Sequence, residues 1–451
     1  MAIYFAVRGM RLRNLVLLAA SWLFYAWGEP AYFLLMLAVT AFNYAAAIQV
    51  ERREGVPRKV ALAVAVTVNL TTLAIFKYAA FAALSLNAAL APLQVGVPVP
   101  SITLPLGISF FTFHALSYVI DVYRGRFSAN RDFRQVALYI ALFPQLIAGP
   151  IVRYKSIARR LAMRRHSLGR ASAGLRIFVI GLAQKLLIAD ALAPVANAVF
   201  DHAERPGLAE AWLGATAYAL QIYFDFAGYS TMAVGLGVVF GFSLPRNFRR
   251  PYASASITEF WRRWHISLST WFRDYLYIPL GGNRGPAWKV WRNLILVFLL
   301  CGLWHGASWT FVLWGAWHGS FLVLERAGLG AILRRLPRPV SWAYALLAVT
   351  FGWVLFRGAD MANTLDIWAG MIGRHPAAPM GHYAAAALTP QIMWLMPLAG
   401  LLAVFGLRLP QVRRLTVARQ RADNLAIGGL LGLSLLQIAV SAFSPFLYFR
   451  F

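Results

Sequence analysis

The stretch 291–322, WRNLILVFLLCGLWHGASWTFVLWGAWHGSFL, constrains this chain more than any other. It is apolar almost throughout and holds two histidines, His305 and His318, each inside a Trp-His-Gly triplet. An imidazole at membrane depth costs free energy unless a polar cavity or a partner group receives it. Gly302, Gly306, Gly315 and Gly319 are poor helix residues but let backbones approach closely. On an unbroken helix, residues 13 apart lie roughly 220° from each other, so the two rings would not share a face. That spacing argues against a paired-histidine site, and no metal is expected. The plain reading of either ring is an interhelical hydrogen bond.

A length of 451 residues would allow two or three soluble domains. With 60% hydrophobic, 14% aromatic and 13% charged residues, the chain reads instead as an all-α polytopic membrane protein. Barrel strands would alternate apolar and polar residues, and these runs do not. The single cysteine, Cys301, excludes an internal disulfide and a cysteine-built metal site, and reads as a small core residue. The formal charge of +27 is carried in short loops between apolar segments. That is the pattern of a cytoplasmic face against anionic membrane lipid, with no nucleic acid as partner. The same charge would also suit an acidic carrier or the phosphates of a coenzyme.

Residues 1–28 start basic and apolar, as a secretory signal does. Trp22, Tyr25 and Trp27, with no small-x-small cleavage site, favour a retained helix. Spans are expected at about 12–28, 31–50, 60–91 and 101–123, with basic loops 51–59 and 124–134 in the cytoplasm. The apolar piece 136–152 breaks the alternation, because both its flanks are basic and it carries Pro144, Gly149 and Pro150. It is expected to dip in and return, since backbone that leaves helix at depth survives only against protein or a water-filled cavity. Gln145 would then line that cavity; an ordinary kinked span is the alternative.

Spans at 175–201 and 210–242 follow, with Asp225 near the middle of the second. A carboxylate there faces the bundle interior, either in an ion pair with Lys185 or an arginine, or as a polar cavity wall. Residues 258–280 carry too many charges to span. Ser256 or Thr258 can cap the start of this stretch, and its tryptophans and tyrosines suit an interfacial helix bearing His265. Further spans are expected at about 290–305, 309–327, 339–357, 391–408 and 425–445, with basic loops 334–338 and 408–421 and a weakly amphipathic stretch near 362–372. The expectation is about eleven transmembrane helices plus two re-entrant or interfacial segments, in one domain over 1–451.

Residues 259–271, EFWRRWHISLSTW, and 291–322 together resemble the membrane-bound O-acyltransferase (MBOAT) family, in its bacterial branch for alginate-type polysaccharide O-acetylation. Further blocks match in the family's order: Arg13-Asn14-Leu15 through Trp27-Gly28, Leu104-Pro105-Leu106-Gly107, Phe143-Pro144-Gln145-Leu146 and Tyr223-Phe224-Asp225-Phe226. Residues 1–9 look like the tail of an extra helix with which family members usually begin.

The resemblance implies an inner-membrane enzyme that takes an acetyl group from a cytoplasmic thioester, most simply acetyl-CoA, with no bound cofactor. The group would pass to a periplasmic acetyltransferase partner or to a polysaccharide hydroxyl. It also implies that His305 is the general base, and that His265, where relatives carry asparagine, polarises the thioester carbonyl or positions the acceptor. Asp225, Gln145, Trp304 and Arg263 are the candidate substrate contacts.

Acyl transfer to a hydroxyl needs a base, donors for the developing oxyanion and a dry path for two substrates. An imidazole kept neutral by burial suits the first task. His318 and His114 read as structural, and His166, His202, His375 and His382 as loop residues. No Gly-x-Ser-x-Gly, HExxH, Walker or Rossmann fingerprint is present, and no carboxylate orients His305 locally as a triad with Ser308 would need. The rival classes are a transporter or flippase of a polysaccharide-export system, which often carries inverted repeats not seen here, and a structural scaffold.

Overall fold

Apolar runs of this length satisfy their own backbone only as helices. The computed structural model describes residues 1–376, 379–406, 417–440 and 446–447, with the side chains of 417–422 left aside, and its regular structure is helical. Among the described residues seven helices are long and apolar enough to cross a membrane: Phe33–Arg52, Gly55–Leu93, Leu168–His202, Leu208–Val239, Ala287–His305, Arg338–Arg357 and Asp423–Val440. Met10–Gly28 and the 16-residue helices Ile108–Tyr123, Trp309–Leu324 and Pro390–Phe405 bring the apolar helices among the described residues to eleven. Leu34, Leu84, Trp394, Leu401 and Leu425 are exposed on them, as side chains facing lipid are. The protein is a multi-pass helical membrane protein.

Some boundaries differ from expectation. The fourth span begins at Ile108, because residues 101–107 run without helix up to Gly107, whose φ of 72° ends the extended approach. The third begins at Gly55, so Arg58 lies in the helix rather than in a loop and donates to the Tyr123 carbonyl at 2.8 Å. Part of the basic loop 408–421 and the end of the span 425–445 lie outside the described residues.

The described residues form two compact units. The first, Met1–Gly174 with Ala233–Pro245, contains the segment 136–152. Here the helix Phe133–Ala141 stops at Leu142, one turn Phe143–Leu146 starts with Pro144 near its head, and non-helical chain runs to Tyr154–Ala162. Apart from half-buried Phe143, all of 136–152 is buried against protein. Side chains satisfy the freed backbone groups: Tyr139 Oη donates to the Val152 carbonyl at 2.9 Å, and the Val152 amide donates to His114 Nε2 at 3.1 Å. Gln145 Nε2 donates to the Tyr139 carbonyl at 2.6 Å. A Cβ on Gly149 would lie 2.3 Å from the Gln145 backbone, so the turn requires glycine there.

His166, expected in a loop, is tied down in the same unit. Arg13 Nη1 lies 3.1 Å from its Nδ1, and Tyr4 Oη 2.7 Å from its Nε2. Since arginine only donates, Nε2 carries the proton. Burial, and then the neighbouring Arg13 and Arg164 charges, hold the His166 pKa below the ordinary histidine value.

The second unit, Leu175–Met232 with Arg246–Phe451, holds the other candidate residues. Its helices Leu168–Ala183 and Leu208–Val239 touch at Gly181 and Gly228, where a Cβ on Gly181 would lie 2.6 Å from the Gly228 carbonyl oxygen. One π-helical turn, Gln184–Ala189, follows. Helices Ala287–His305 and Trp309–Leu324 form a tight hairpin that turns at 306–308, in keeping with the separate spans expected at 290–305 and 309–327. A Cβ on Gly302 would fall 2.1 Å from the Phe311 carbonyl oxygen, and one on Gly315 2.2 Å from that of Phe298. Those glycines close the hairpin.

Candidate active site

The segment bearing His265 is two short helices meeting at a bend. Ser256 caps the first, Ile257–Arg263, its side chain accepting from the Glu259 amide at 3.0 Å. The chain then turns at Trp264 and His265, whose φ of 41° puts a non-glycine residue in the left-handed region. The next helix, Ile266–Phe272, starts with its amides given away: Ile266 donates to the Asn247 carbonyl at 2.9 Å and Ser267 to Asn247 Oδ1 at 3.2 Å. His265 is fully buried, its ring edge-on to Phe226 at 4.6 Å and tilted on Trp304 at 6.0 Å.

His305 is the last residue of its helix and is buried. Its ring packs on Trp304 at 4.8 Å, Trp314 at 5.1 Å and Phe356 at 5.2 Å. Trp304 therefore touches both histidines. His318 also packs on Trp314, at 5.0 Å, and meets Trp261 edge-on at 5.1 Å. Among the described residues neither His318 ring nitrogen makes a hydrogen bond. Ser308 Oγ pairs with Thr310 Oγ1 at 2.7 Å.

The remaining candidates sort by their partners. Asp225 Oδ1 lies 2.9 Å from Lys185 Nζ, and its Oδ2 accepts from the Leu447 amide at 3.0 Å. Lys185 also pairs with Asp190. The ion pair foreseen as one reading of Asp225 is thus present, with a C-terminal amide added. Asp225 precedes Phe226, the ring against His265. Arg263 pairs with Glu259 on its own helix and reaches the Arg250 carbonyl at 3.4 Å. Gln145 belongs to the first unit. The structure brings His265, Trp304 and His305 together.

Two cavities open on this site's elements. One, about 470 Å³, is lined by Trp261, Ile266, Leu268, Val297, Phe298 and Cys301, the last being one turn before His305. The other, about 630 Å³, presents Arg262, Arg326, Arg334 and Arg338. Thr258, Arg262, Tyr277, Leu294 and Leu322 line both, so the apolar chamber shares its wall with the cationic one. Sequence reasoning missed Trp314 as a ring that packs on both His305 and His318, and Glu325, a buried carboxylate on the cationic cavity. The signal for Glu325 was available: it is an acid closing a 16-residue apolar helix.

Fold and site define a polytopic helical membrane enzyme with a buried histidine pair between membrane helices. The chain belongs to the membrane-bound O-acyltransferase family: the family profile matches residues 126–365, a span that includes both histidines and Asp225. It is 42% identical to a "Probable alginate O-acetylase" of Azotobacter vinelandii over 98% of this chain and 95% of that one. It is 34% identical to a peptidoglycan O-acetyltransferase of Helicobacter pylori, over 80% and 74%. A teichoic acid D-alanyltransferase of Bacillus subtilis matches at 28% over 45% and 54%. The protein is an acyltransferase, which neither the transporter nor the scaffold reading predicts.

Proposed function

We propose that the protein sits in the bacterial inner membrane and moves an acetyl group from a cytoplasmic thioester to the hydroxyl of an exported polysaccharide, alginate-type in the first instance. The hydroxyl is reached directly or through a periplasmic acetyltransferase partner. The observation that carries the reading is the shared contact of His265 and His305 with Trp304, on elements whose Ile266 and Cys301 line an apolar chamber that shares a wall with a cavity of four arginines. Three relatives bear names of acyl transfer to envelope or exported polymers, which supports the acceptor class.

In this mechanism neutral His305 takes the proton of the acceptor hydroxyl as its oxygen attacks the thioester carbonyl. The carbonyl electrons move to oxygen, where His265 donates a hydrogen bond. The tetrahedral adduct collapses with cleavage of the C–S bond, and the thiolate leaves with the proton held by His305. Trp304 walls the reacting carbonyl on the side of both rings. The arginine-lined cavity suits the phosphates of acetyl-CoA and the apolar chamber its pantetheine arm. Arg292 lies about 20 Å of helix before His305, which supports a base placed toward the face away from the donor's entry. Asp225 and Arg263 already hold ion-pair partners, whereas Trp304, another candidate substrate contact, packs on both histidine rings.

The test compares O-acetyl content of secreted and envelope polysaccharides in strains with the wild-type protein, without it, and with His305→Ala. Loss of acetyl from one polymer in the last two strains is expected. Unchanged acetylation in the His305→Ala strain would overturn the reading.

A further inference from the structure

Glu325 closes the hairpin that follows His305, and none of its chemistry is used in the mechanism above. Its carboxylate is buried, and four donors converge on it. Oε1 accepts from the Ile257 amide at 2.6 Å and from Tyr344 Oη at 3.2 Å. Oε2 accepts from the Thr258 amide at 2.9 Å and from Thr258 Oγ1 at 2.6 Å. With Ser256 holding the Glu259 amide, the first three amides of the helix Ile257–Arg263 are all engaged.

That helix is two turns long, and its far end delivers Trp264 and His265. Trp264 is locked in place at 4.8 Å from Trp353 and 5.5 Å from Phe260, so a shift at residue 257 has little slack in which to dissipate. On the other side, Glu325 directly follows Trp309–Leu324, the helix that lays Trp314 against His305. One carboxylate therefore bonds the head of the His265 segment to the tail of the His305 hairpin.

We infer that Glu325 is a positioning residue for acyl transfer: its carboxylate fixes the His265 segment against the His305 hairpin and so sets the two imidazoles about one reacting carbonyl. The inference rests on the function proposed above. Glu325→Gln keeps the volume and one acceptor oxygen but turns an NH2 group toward amide donors, and Thr258→Val removes one of the four bonds without touching the carboxylate.

The test uses the full chain in nanodiscs, with Glu325→Gln, Thr258→Val, His265→Asn and the two double variants that contain His265→Asn. Acetyl transfer from acetyl-CoA and hydrogen exchange of the amides of 257–266 are both measured. Glu325→Gln is expected to lower kcat more than tenfold, and Thr258→Val to lower it severalfold. Combined with His265→Asn, each is expected to add less than its separate loss, because both act on the same ring. Exchange is expected to quicken at least tenfold at residues 257 and 258 and to rise at 264–266.

Multiplicative losses in the double variants, or exchange at 264–266 unchanged while that at 257–258 quickens, would overturn the positioning role. If Glu325→Gln does not assemble, Thr258→Val decides by the same criteria. A wild-type protein that transfers no acetyl group would count against the proposed function instead, and the exchange pattern would still decide whether the clamp reaches His265.

Discussion

His265 and His305 are presented by two unlike breaks in helix. At His305 the helices on both sides are regular and apolar, and glycines let them close: Gly302 and Gly315 leave no room for a Cβ against the facing carbonyls. At His265 the chain takes a left-handed turn, and side chains from elsewhere accept the amides released, Asn247 after the bend and Glu325 before it. The contrast follows from where backbone hydrogen bonds go. A hairpin of intact helices satisfies itself and needs only close packing, whereas a broken segment in a dry interior needs acceptors supplied to it.

The largest effect should come from the residue the hairpin presents. His305→Ala or His305→Asn is expected to cut acetyl transfer by about 10²–10⁴-fold at near-normal membrane level, the range for loss of a general base. Retention of more than about a tenth of the activity would take the base role away from His305.

Next in size is His265, where the replacement matters. His265→Ala is expected to lose about 10²-fold, as removal of an oxyanion donor does. His265→Asn, which keeps a donor, should stay within about tenfold of wild type. Assayed from pH 5.5 to 8.5, the rising limb of the pH profile should persist in His265→Asn, since it reports the base. Equal inactivity of both His265 variants, with activity surviving in His305→Asn, would reverse the two roles.

The two ways of holding a break can themselves be set against each other. Gly302→Ala drives a methyl into the Phe311 carbonyl and is expected to destabilise the protein by about 1–3 kcal/mol, the usual penalty for overpacking. Gly428→Ala, on a helix face with nothing within 4 Å, is the control and should be neutral or stabilising by about 1 kcal/mol. Thermal unfolding in detergent reads both; equal effects would mean that the hairpin does not depend on its close approach. A smaller destabilisation than that of Gly302→Ala is expected for Asn247→Ala, which leaves the Ser267 amide without its acceptor and should cost about 1–2 kcal/mol. No change in stability there would mean that the bend does not need the acceptor.

Much of this protein was legible along the chain. Hydropathy alone marks the apolar helices, because a span is a property of twenty or so consecutive residues. The same is true of local punctuation. Pro144, Gly149 and Pro150 announced the break within 136–152, Ser256 and Thr258 were the two candidate caps of the His265 segment, and the Trp-His-Gly triplets drew attention to His305. Each signal is carried by residues near one another in sequence, where backbone chemistry is local.

Tertiary structure decided which groups meet. Separate spans ending at His305 and starting at 309 were legible, but only the folded hairpin shows that Trp314 packs on both His305 and His318. Lys185 reaches Asp225 because Gly181 and Gly228 let two helices touch, and Leu447 brings its amide to the same carboxylate from over two hundred residues away. Glu325, an acid at the end of an apolar run, holds the start of another helix. A buried polar group must find a partner, and burial tells the chain that one is needed. Which partner it finds is set by helix packing, and no local pattern encodes that.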